Sequence, residues 1–358
     1  MHKVLFITKR YYTNKDLILD RFGRLFHLPM HLVQNGHTCM IITANYYSNR
    51  VEKYSISGLN FLSLPFRPQN FFLFFYRCHQ SIQQFKPDII IASGDTHFGA
   101  MGLMYAGLSR VPFVFDVYDD YTAFGSNRLP GMKRVFWEVI KRSGAVICSS
   151  TPLMEKLYRQ NKSVAVIENG VDANLFKPIS RRIARKKIGI DQKDTVIGYF
   201  GFMGPNYGIK ELVNATKTLR DTYPRVRLLL AGKKHDHITF GQPFIDYRGL
   251  VNQNEIPLFI NSSDVVVIPY LTDGQIRVSN PCKLAEYLAC DVPIVSTRVS
   301  DIPKILSDVP EALCNPGDAD DLAKAVKWQL ETPTVAKLPD SLKWESLGKK
   351  FRNVLERL

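Results

Sequence analysis

A lysine and a glutamate stand three residues apart in the segment SNPCKLAEYLACDVPIVST, residues 279–297. The segment predicts a helix that has Asn280 as its N-cap and Pro281 at its first position, followed by a buried strand. Lys283 and Glu286 then share one helical face. Free N–H groups at a helix start favour an anion, so a phosphate would stabilise Lys283 there, and Glu286 could accept hydrogen bonds from a ribose. The alternative is a simple salt bridge between the two on a solvated face.

Two other apolar runs are followed by backbone that could approach a ligand closely. The loop GFMGPNYG, residues 201–208, comes directly after such a run and is rich in glycine. It is not a P-loop and it lacks the GxGxxG pattern, which makes a dehydrogenase a weak interpretation. Residues 248–251, RGLV, follow another run, and their backbone could contact a base.

Polar side chains follow two apolar runs in the first half of the chain. Asp95 and His97 lie in ASGDTHFGA, residues 92–100, and Asp119 and Asp120 lie in FDVYDDYTAFG, which follows the next run. A carboxylate could deprotonate or orient an acceptor hydroxyl, and His97 could bond sugar hydroxyls. The alternative for each is a polar residue that fixes a turn. The two aspartates are adjacent rather than spaced as Asp-x-Asp, so the sequence does not require a divalent ion.

The elements that must position these residues alternate along the whole chain. Apolar runs separated by helix-length segments indicate βα units and parallel sheets, and their continuous apolarity indicates strands buried on both faces. A basic gap near residues 172–194 separates two such series. The sequence therefore predicts two doubly wound α/β domains, whose ligands bind beyond the carboxyl ends of the strands.

Composition restricts the classes of partner. The chain has 358 residues and a net charge of +14, which indicates either an ordinary solvated surface or an anionic partner: phosphates, an anionic membrane surface or nucleic acid. No nucleic-acid-binding module is recognisable, so we expect no nucleic-acid partner. No apolar run of about 18 residues predicts a spanning helix, and the six scattered cysteines favour reduced thiols in a cytoplasmic protein.

One aromatic stretch and one basic stretch suggest a membrane contact. The run NFFLFFY, residues 70–76, and the basic helix pattern MKRVFWEVIKR, residues 132–142, could rest on an anionic bilayer at the inner face of a membrane. Packing of the aromatic side chains in the core is the alternative.

Five motifs in a fixed order carry a resemblance that spans nearly the full chain. Together they resemble the retaining GT-B glycosyltransferases of the family 4 (glycosyltransferase group 1) type. The motifs are RFGRLFHLPMHLVQNGHTCMIIT (21–43), ENGVDANLF (168–176), GYFGFMGPNYGIKELVNA (198–215), LVNQNEIPLFINSSDVVVIPY (250–270) and NPCKLAEYLACDVPIVST (280–297).

The resemblance implies both a fold and a reaction. Residues 1–171 would form a Rossmann-like acceptor-binding domain, and residues 172–340 a Rossmann-like nucleotide-sugar-binding domain that faces it across a cleft. Residues 341–358 would form a helix that packs back on the first domain. A sugar would pass from a UDP- or GDP-linked donor to a glycan or lipid-linked acceptor, with retention, in surface polysaccharide or glycolipid assembly. The nucleotide sugar is a co-substrate, and we expect no metal ion or other cofactor.

The resemblance also assigns roles to residues. Glu286 matches the second glutamate of the family's Glu-x7-Glu motif, which holds the ribose, and Lys283 matches a lysine near the diphosphate. Gly23 matches a glycine that lets the first domain approach the donor phosphate, and Arg24 follows it. The donor segments contain, in addition, Gly201, Arg248, Leu250, Val251, Ser279 and Asn280.

Three positions depart from the family pattern. Val278 stands where the first glutamate of the motif is expected, and Phe202 and Tyr207 stand where an arginine and a lysine often bind phosphate. Arg277 and Lys283 are the candidate substitutes. These departures leave open the alternative of an inactive GT-B subunit that binds a partner transferase or a glycan. A further alternative is another two-domain sugar-nucleotide enzyme, such as an epimerase or a phosphorylase.

Overall fold

The chain divides into two compact units. A computed structural model describes residues 1–12, 15–123, 127 and 129–358. Unit 1 comprises Met1–Gly170 and Trp344–Leu358, and unit 2 comprises Val171–Lys343. Within the described residues, no helix is both long and apolar enough to cross a membrane.

Among the residues described, unit 1 is built on an eight-stranded sheet of order β10-β9-β8-β7-β1-β4-β6-β5, with a separate hairpin β2-β3. The strands are β1 (Lys3–Lys9), β2 (Tyr11–Tyr12), β3 (Lys15–Asp16), β4 (Thr38–Asn45), β5 (Glu52–Ile56), β6 (Leu59–Pro65), β7 (Ile89–Ser93), β8 (Phe113–Val117), β9 (Ala145–Cys148) and β10 (Val164–Val166). The helices between them are α1 (Arg24–Gln34), α2 (Phe71–Phe85), α3 (Thr96–Ser109), α4 (Met132–Arg142) and α5 (Thr151–Tyr158).

Unit 2 is described throughout and contains a six-stranded sheet of order β13-β12-β11-β14-β15-β16. Its strands are β11 (Thr195–Phe200), β12 (Val226–Ala231), β13 (Ile245–Tyr247), β14 (Val265–Ile268), β15 (Ile294–Thr297) and β16 (Leu313–Cys314). Its helices are α6 (Arg181–Ile188), α7 (Ile209–Leu219), α8 (Ile256–Ser262), α9 (Cys282–Ala289), α10 (Ile302–Ile305) and α11 (Ala319–Glu331).

The buried parallel strands follow from continuous apolar sequence. Every residue of β7, IIIAS, is buried, as is every residue of β8 and β14. The expected doubly wound α/β architecture is confirmed. The sequence did not predict β5, which pairs antiparallel at the edge of the sheet and alternates between half-buried and exposed residues. An edge strand faces water on one side and needs no continuous apolar run.

The last helix, α12 (Trp344–Leu355), belongs to unit 1 and packs against α1. Its apolar stripe, which includes Leu347 and Phe351, is buried in the unit 1 core. A Cβ at Gly348 would overlap the ring of His31 on α1, so the two helices approach more closely than a larger residue would allow.

Each sheet has a topological switch point, where the chain stops adding strands on one side of a central strand and continues on its other side. In unit 1 it lies between β1 and β7, and in unit 2 it lies between β11 and β14. In sheets of this kind the crevice beyond the carboxyl ends of the strands at that point is the usual ligand site. The loops after these four strands therefore position several of the candidate functional residues.

Candidate functional site

Helix α9 begins one residue later than the sequence predicted. Pro281 is its N-cap, with extended backbone at φ −73° and ψ 121°, and its carbonyl accepts a hydrogen bond from the Leu284 N–H at 3.0 Å. The assignment of Asn280 as N-cap is therefore wrong. Proline is compatible with either position because it needs no N–H partner and its φ suits both. Asn280 is buried instead.

The side chain of Lys283 is enclosed rather than solvated. Its exposed fraction is 8%, and its Nζ lies 3.9 Å, 5.0 Å and 6.0 Å from the ring centroids of Tyr199, Tyr270 and Tyr207. The Nζ makes no hydrogen bond to a described residue. Burial lowers the pKa of Lys283 to about 7, against the opposing field of Glu286 on the same helix. These observations exclude the alternative of a salt bridge on a solvated face.

The glycine-rich loop is packed directly against this lysine. Gly201 has φ +147°, and a Cβ there would stand 2.7 Å from the Lys283 Nζ. The Phe200 N–H donates to the Tyr287 hydroxyl at 2.8 Å, which fixes α9 to the end of β11. The loop and the start of α9 therefore form one site at the carboxyl edge of the unit 2 sheet.

The loops that follow β12 and β13 adjoin the same site. The Gly232 N–H donates to the Gly249 carbonyl at 2.7 Å, and a Cβ at Gly232 would overlap the Gly201 carbonyl. The Arg248 guanidinium is engaged by Asp246, with Nε–Oδ1 and Nη2–Oδ2 distances of 2.5 Å and 2.8 Å. This leaves the backbone of residues 248–251, rather than the Arg248 side chain, as the group that could contact a base.

The segment Gly274–Val278 lies against the glycine-rich loop. A Cβ at Gly274 would lie 3.5 Å from the Asn206 side-chain nitrogen, and the nearby Leu271 N–H donates to the Asn206 carbonyl at 3.1 Å. The Ser279 hydroxyl donates to the Ile276 carbonyl at 2.9 Å, which closes the end of the segment. Among the candidate donor residues, four are exposed: Phe202, Arg248, Leu250 and Arg277. Those that are half-buried are Gly23, Gly201, Tyr207, Val251, Val278, Ser279 and Glu286.

A second cluster lies in unit 1, where β1 and β7 end. Lys9, the last residue of β1, places its Nζ 3.2 Å from Asp95 Oδ2. His97 follows in the first turn of α3, where burial lowers its pKa and its Nε2 has no hydrogen bond to a described residue. Burial raises the pKa of Asp119 to about 6. The charges of Lys9 and Asp95 act on both His97 and Asp119, so these four residues form one cluster. Sequence reasoning missed Lys9, although its position at the end of a buried strand was a signal.

Asp120 is directed away from this cluster. Its carboxylate accepts bonds from Lys156 Nζ at 2.7 Å and 2.8 Å and from the Thr122 hydroxyl at 2.6 Å. These contacts favour the alternative in which Asp120 fixes a turn. Phe124 and Gly125, the end of the same motif, lie outside the described residues.

Arg24 is directed into the core of unit 1. It is 2% exposed, its Nη2 lies 2.8 Å from Asp116 Oδ1, and its Nη1 donates to the Ile167 carbonyl at 2.8 Å. Gly23 has φ +67°, and a Cβ there would overlap the Tyr12 hydroxyl. These contacts favour a structural role for Arg24, whereas Gly23 keeps a conformation that brings backbone close to its neighbours.

The side chains that could bind a metal ion are dispersed among the residues that the structure describes. Over residues 1–12, 15–123, 127 and 129–358, no three His, Cys, Asp or Glu side chains are grouped so as to hold a metal ion.

Comparison with known families identifies the class. Residues 24–175 match the family model described as Glycosyltransferase Family 4, and residues 194–332 match the model described as Glycosyl transferases group 1. The chain belongs to this family of glycosyltransferases. The expected enzyme class and GT-B fold are thereby confirmed.

Named relatives are distant but extend over most of the chain. A phosphatidylinositol N-acetylglucosaminyltransferase subunit of Arabidopsis thaliana is 22% identical over 96% of this chain and 80% of its own length. The putative teichuronic acid biosynthesis glycosyltransferase TuaC of Bacillus subtilis is 21% identical over 67% of this chain and 60% of its own length.

Solved structures share the fold over the full chain. Sucrose-phosphate synthase of Thermosynechococcus elongatus has a TM-score of 0.77 at 17% identity, covering 100% of this chain and 99% of that one. HepE of Anabaena, solved with UDP-glucose, has a TM-score of 0.74 at 16% identity and covers 100% of both chains.

Proposed function

We propose that this glycosyltransferase moves a sugar from a UDP- or GDP-linked donor to a glycan or lipid-linked acceptor. The observation that carries the proposal is the enclosed amine of Lys283 beside Gly201, with Glu286 on the same helix, where the sheet of unit 2 changes direction. Lys283 and the backbone N–H groups would bind the diphosphate, Glu286 would accept bonds from the ribose hydroxyls, and residues 249–251 would contact the base.

The same groups can stabilise the leaving group. Charge accumulates on the departing diphosphate in the transition state, and fixed N–H donors and a cation stabilise it without reorganising. We expect the acceptor hydroxyl to attack from the face that the leaving group vacates, which retains the anomeric configuration. The proposal that no metal ion takes part rests on this donor set.

The names of two relatives and the ligand of one structural neighbour support this choice of acceptor and donor. The Arabidopsis relative is named for a phosphatidylinositol acceptor and the Bacillus relative for a surface polysaccharide, which supports a lipid-linked or glycan acceptor. HepE was solved with UDP-glucose, which supports a UDP-linked donor.

A nucleotide panel tests the donor site. We expect one of UDP, GDP, ADP, TDP and CMP to raise the melting temperature of the wild type by several degrees, because ligand at about 100 times its Kd adds about 2.7 kcal/mol of stability. Glu286→Ala should raise the Kd about tenfold or more, since each bond to a charged group contributes about 1.5–3 kcal/mol. Thermal shift and calorimetry measure both quantities.

Glu286→Gln is the matched control, because its amide retains an acceptor for the ribose. Glu286→Gln should bind the nucleotide more tightly than Glu286→Ala does. Without ligand, the two variants should melt at the same temperature. Equal affinity of wild type and Glu286→Ala would remove the ribose role. A panel without any shift would favour the inactive, partner-binding subunit that Val278, Phe202 and Tyr207 suggest.

The cluster in unit 1 supports a role for Asp119 as the general base that deprotonates the acceptor hydroxyl. Only the ionised carboxylate of Asp119 can accept the acceptor proton, and burial raises its pKa to about 6. We therefore expect the transfer rate to rise with pH through about 6 in the wild type. Asp119→Asn should remove this rise and lower the rate by about 100-fold or more.

Asp120→Asn is the control for this pH profile. This variant should keep the rise of the transfer rate with pH through about 6. Its melting temperature should be lower than that of the wild type, since Lys156 loses its charged partner. A limb that persists in Asp119→Asn and vanishes in Asp120→Asn would assign the base to Asp120 instead.

Peripheral membrane contact is supported by exposed side chains on α2 and α4. Phe71, Phe72, Leu73 and Tyr76 are 44%, 86%, 42% and 58% exposed, so core packing accounts for Phe74 but not for these four. Helix α4 carries four exposed cations, Lys133, Arg134, Lys141 and Arg142. Aromatic side chains enter the headgroup region, and each cation adds about 1 kcal/mol near an anionic surface.

Vesicle sedimentation tests this contact. We expect binding to phosphatidylglycerol vesicles but not to phosphatidylcholine vesicles, and about tenfold weaker binding for Phe72→Ser, because a buried aromatic ring contributes about 1.5–3 kcal/mol. Leu19→Ser is the control, since Leu19 is 66% exposed in unit 1 outside these helices. An equal loss of vesicle binding in both variants would contradict the assignment of α2 and α4 as the membrane-contacting surface.

A further inference from the structure

The amine of Lys283 has an unusual set of neighbours. Tyr199, Tyr207 and Tyr270, here called the tyrosine cage, present their rings to the Nζ at 3.9 Å, 6.0 Å and 5.0 Å. Tyr199 is fully buried and Tyr270 is 4% exposed, so water is largely excluded from this side of the amine. The cage comes from three separate places: β11, the turn Pro205–Tyr207 and the residue pair after β14.

The tyrosine cage compensates only in part for the hydration that the charged amine loses on burial. An ammonium group without hydrogen bonds is costly in a dry site. Each ring face attracts a cation by about 0.5–2 kcal/mol, which favours the charged form. The titratable groups that face the amine are Tyr199 on β11, Tyr207 in the turn, Tyr270 after β14, and Cys282 and Glu286 on α9.

The tyrosine hydroxyls do not supply the missing charge near neutrality. Burial raises the pKa of Tyr199 and of Tyr270 well above the ordinary value, so both stay neutral. The field of Glu286 favours the ammonium, yet burial dominates. Near pH 7 the amine is therefore charged in some molecules and neutral in others until an anion binds.

We propose that the tyrosine cage positions Lys283 as a phosphate ligand that takes up as much as one proton from solvent when a nucleotide diphosphate binds. This inference rests on the proposed donor site and adds that Tyr199 and Tyr270 are positioning residues for it. The rings fix where the amine lies and set the pH at which it becomes charged.

The sign of the pH dependence follows from linkage. The pKa of Lys283 is about 7 in the free protein, and a neighbouring diphosphate raises it. Affinity is then greatest below about pH 7 and falls as pH rises, by roughly tenfold for each unit until the pKa of the bound state is reached. UDP-glucose is the suitable probe because its diphosphate has no terminal phosphate, whose second pKa of about 6 would add its own titration.

Two measurements on the full chain test the proposal. Carbon-13 NMR of labelled lysine, with Lys283→Met to assign the resonance, should show Lys283 titrating near pH 7 in the free wild type. UDP-glucose and GDP-glucose affinities between about pH 6 and pH 9 should fall with pH in the wild type and stay flat in Lys283→Met.

Substitutions in the cage separate positioning from packing. Tyr270→Leu removes one ring face and should lower the titration midpoint of Lys283 by about one pH unit, together with the midpoint of the affinity profile. Tyr270→Phe keeps the ring face and should leave both midpoints unchanged. A loss of stability alone would move neither midpoint, so a purely structural role is distinguishable.

Each contrary outcome has a definite meaning. Titration of Lys283 near its ordinary value of about 10.4 would overturn the proposal. A flat affinity profile in a wild type that binds UDP-glucose would overturn proton uptake while leaving the donor site intact. Binding of neither sugar nucleotide at any pH would overturn the proposed function itself, and the proton uptake with it.

Discussion

Arg24→Leu is expected to lower the unfolding free energy of unit 1 by about 3–5 kcal/mol, because it leaves the buried carboxylate of Asp116 without its counter-ion. The two side chains are 2% and 3% exposed and make contacts of 2.8 Å and 3.2 Å. Burial raises the pKa of Asp116, and Arg24 opposes that shift, so the isolated carboxylate would be strongly disfavoured in ionised form. Hydrogen exchange in β1 and β7 measures the loss within unit 1.

The double variant Arg24→Leu/Asp116→Leu is the control for this prediction. Replacing a whole buried ion pair by apolar residues is often neutral, so most of the lost stability should return. If Arg24→Leu instead left unit 1 stable and weakened nucleotide binding, the donor-binding role expected for Arg24 from its place beside Gly23 would be correct.

Gly208→Ala is expected to lower the unfolding free energy of unit 2 by about 4 kcal/mol or more. Gly208 has φ +66°, and a Cβ there would overlap the backbone carbonyl of Pro269 at the end of β14. A backbone atom cannot move aside as a flexible side chain can. The displacement would also reach Tyr270, the next residue, so we expect nucleotide binding to weaken with stability.

Gly189→Ala separates overlap from backbone strain. Gly189 has φ +73° with no atom within 4 Å of a Cβ, so this substitution introduces only the left-handed strain of about 1–2 kcal/mol. Thermal and chemical denaturation should rank the two variants clearly. Losses of equal size would show that Gly208 is required for its φ and not for its contact with Pro269.

Local sequence patterns predicted the buried strands well, because continuous apolarity is a property of each strand itself. The N-cap of α9 was displaced by one residue because Pro281 suits two adjacent positions. β5 was missed because an edge strand carries no continuous apolar run. These differences concern the start of one helix and a strand at the edge of one sheet, not the buried strands.

The site was harder to predict because its contacts join distant parts of the chain. Arg24 and Asp116 are 92 residues apart, and Asp120 and Lys156 are 36 apart, so their pairing leaves no local pattern. The sequence indicated that Lys283 matters, but Tyr199 and Tyr270 resemble ordinary core residues at the ends of apolar runs. Only the fold shows that their rings meet at one amine.

The placement of α12 bears on the order in which the chain can fold. Leu347 and Phe351 complete the core of unit 1, yet they are translated after the whole of Val171–Lys343. During vectorial synthesis unit 2 can therefore close its core while α1 still lacks its partner helix. A nascent chain halted before Trp344 would present the uncovered face of α1 to chaperones, although the downstream unit had already folded.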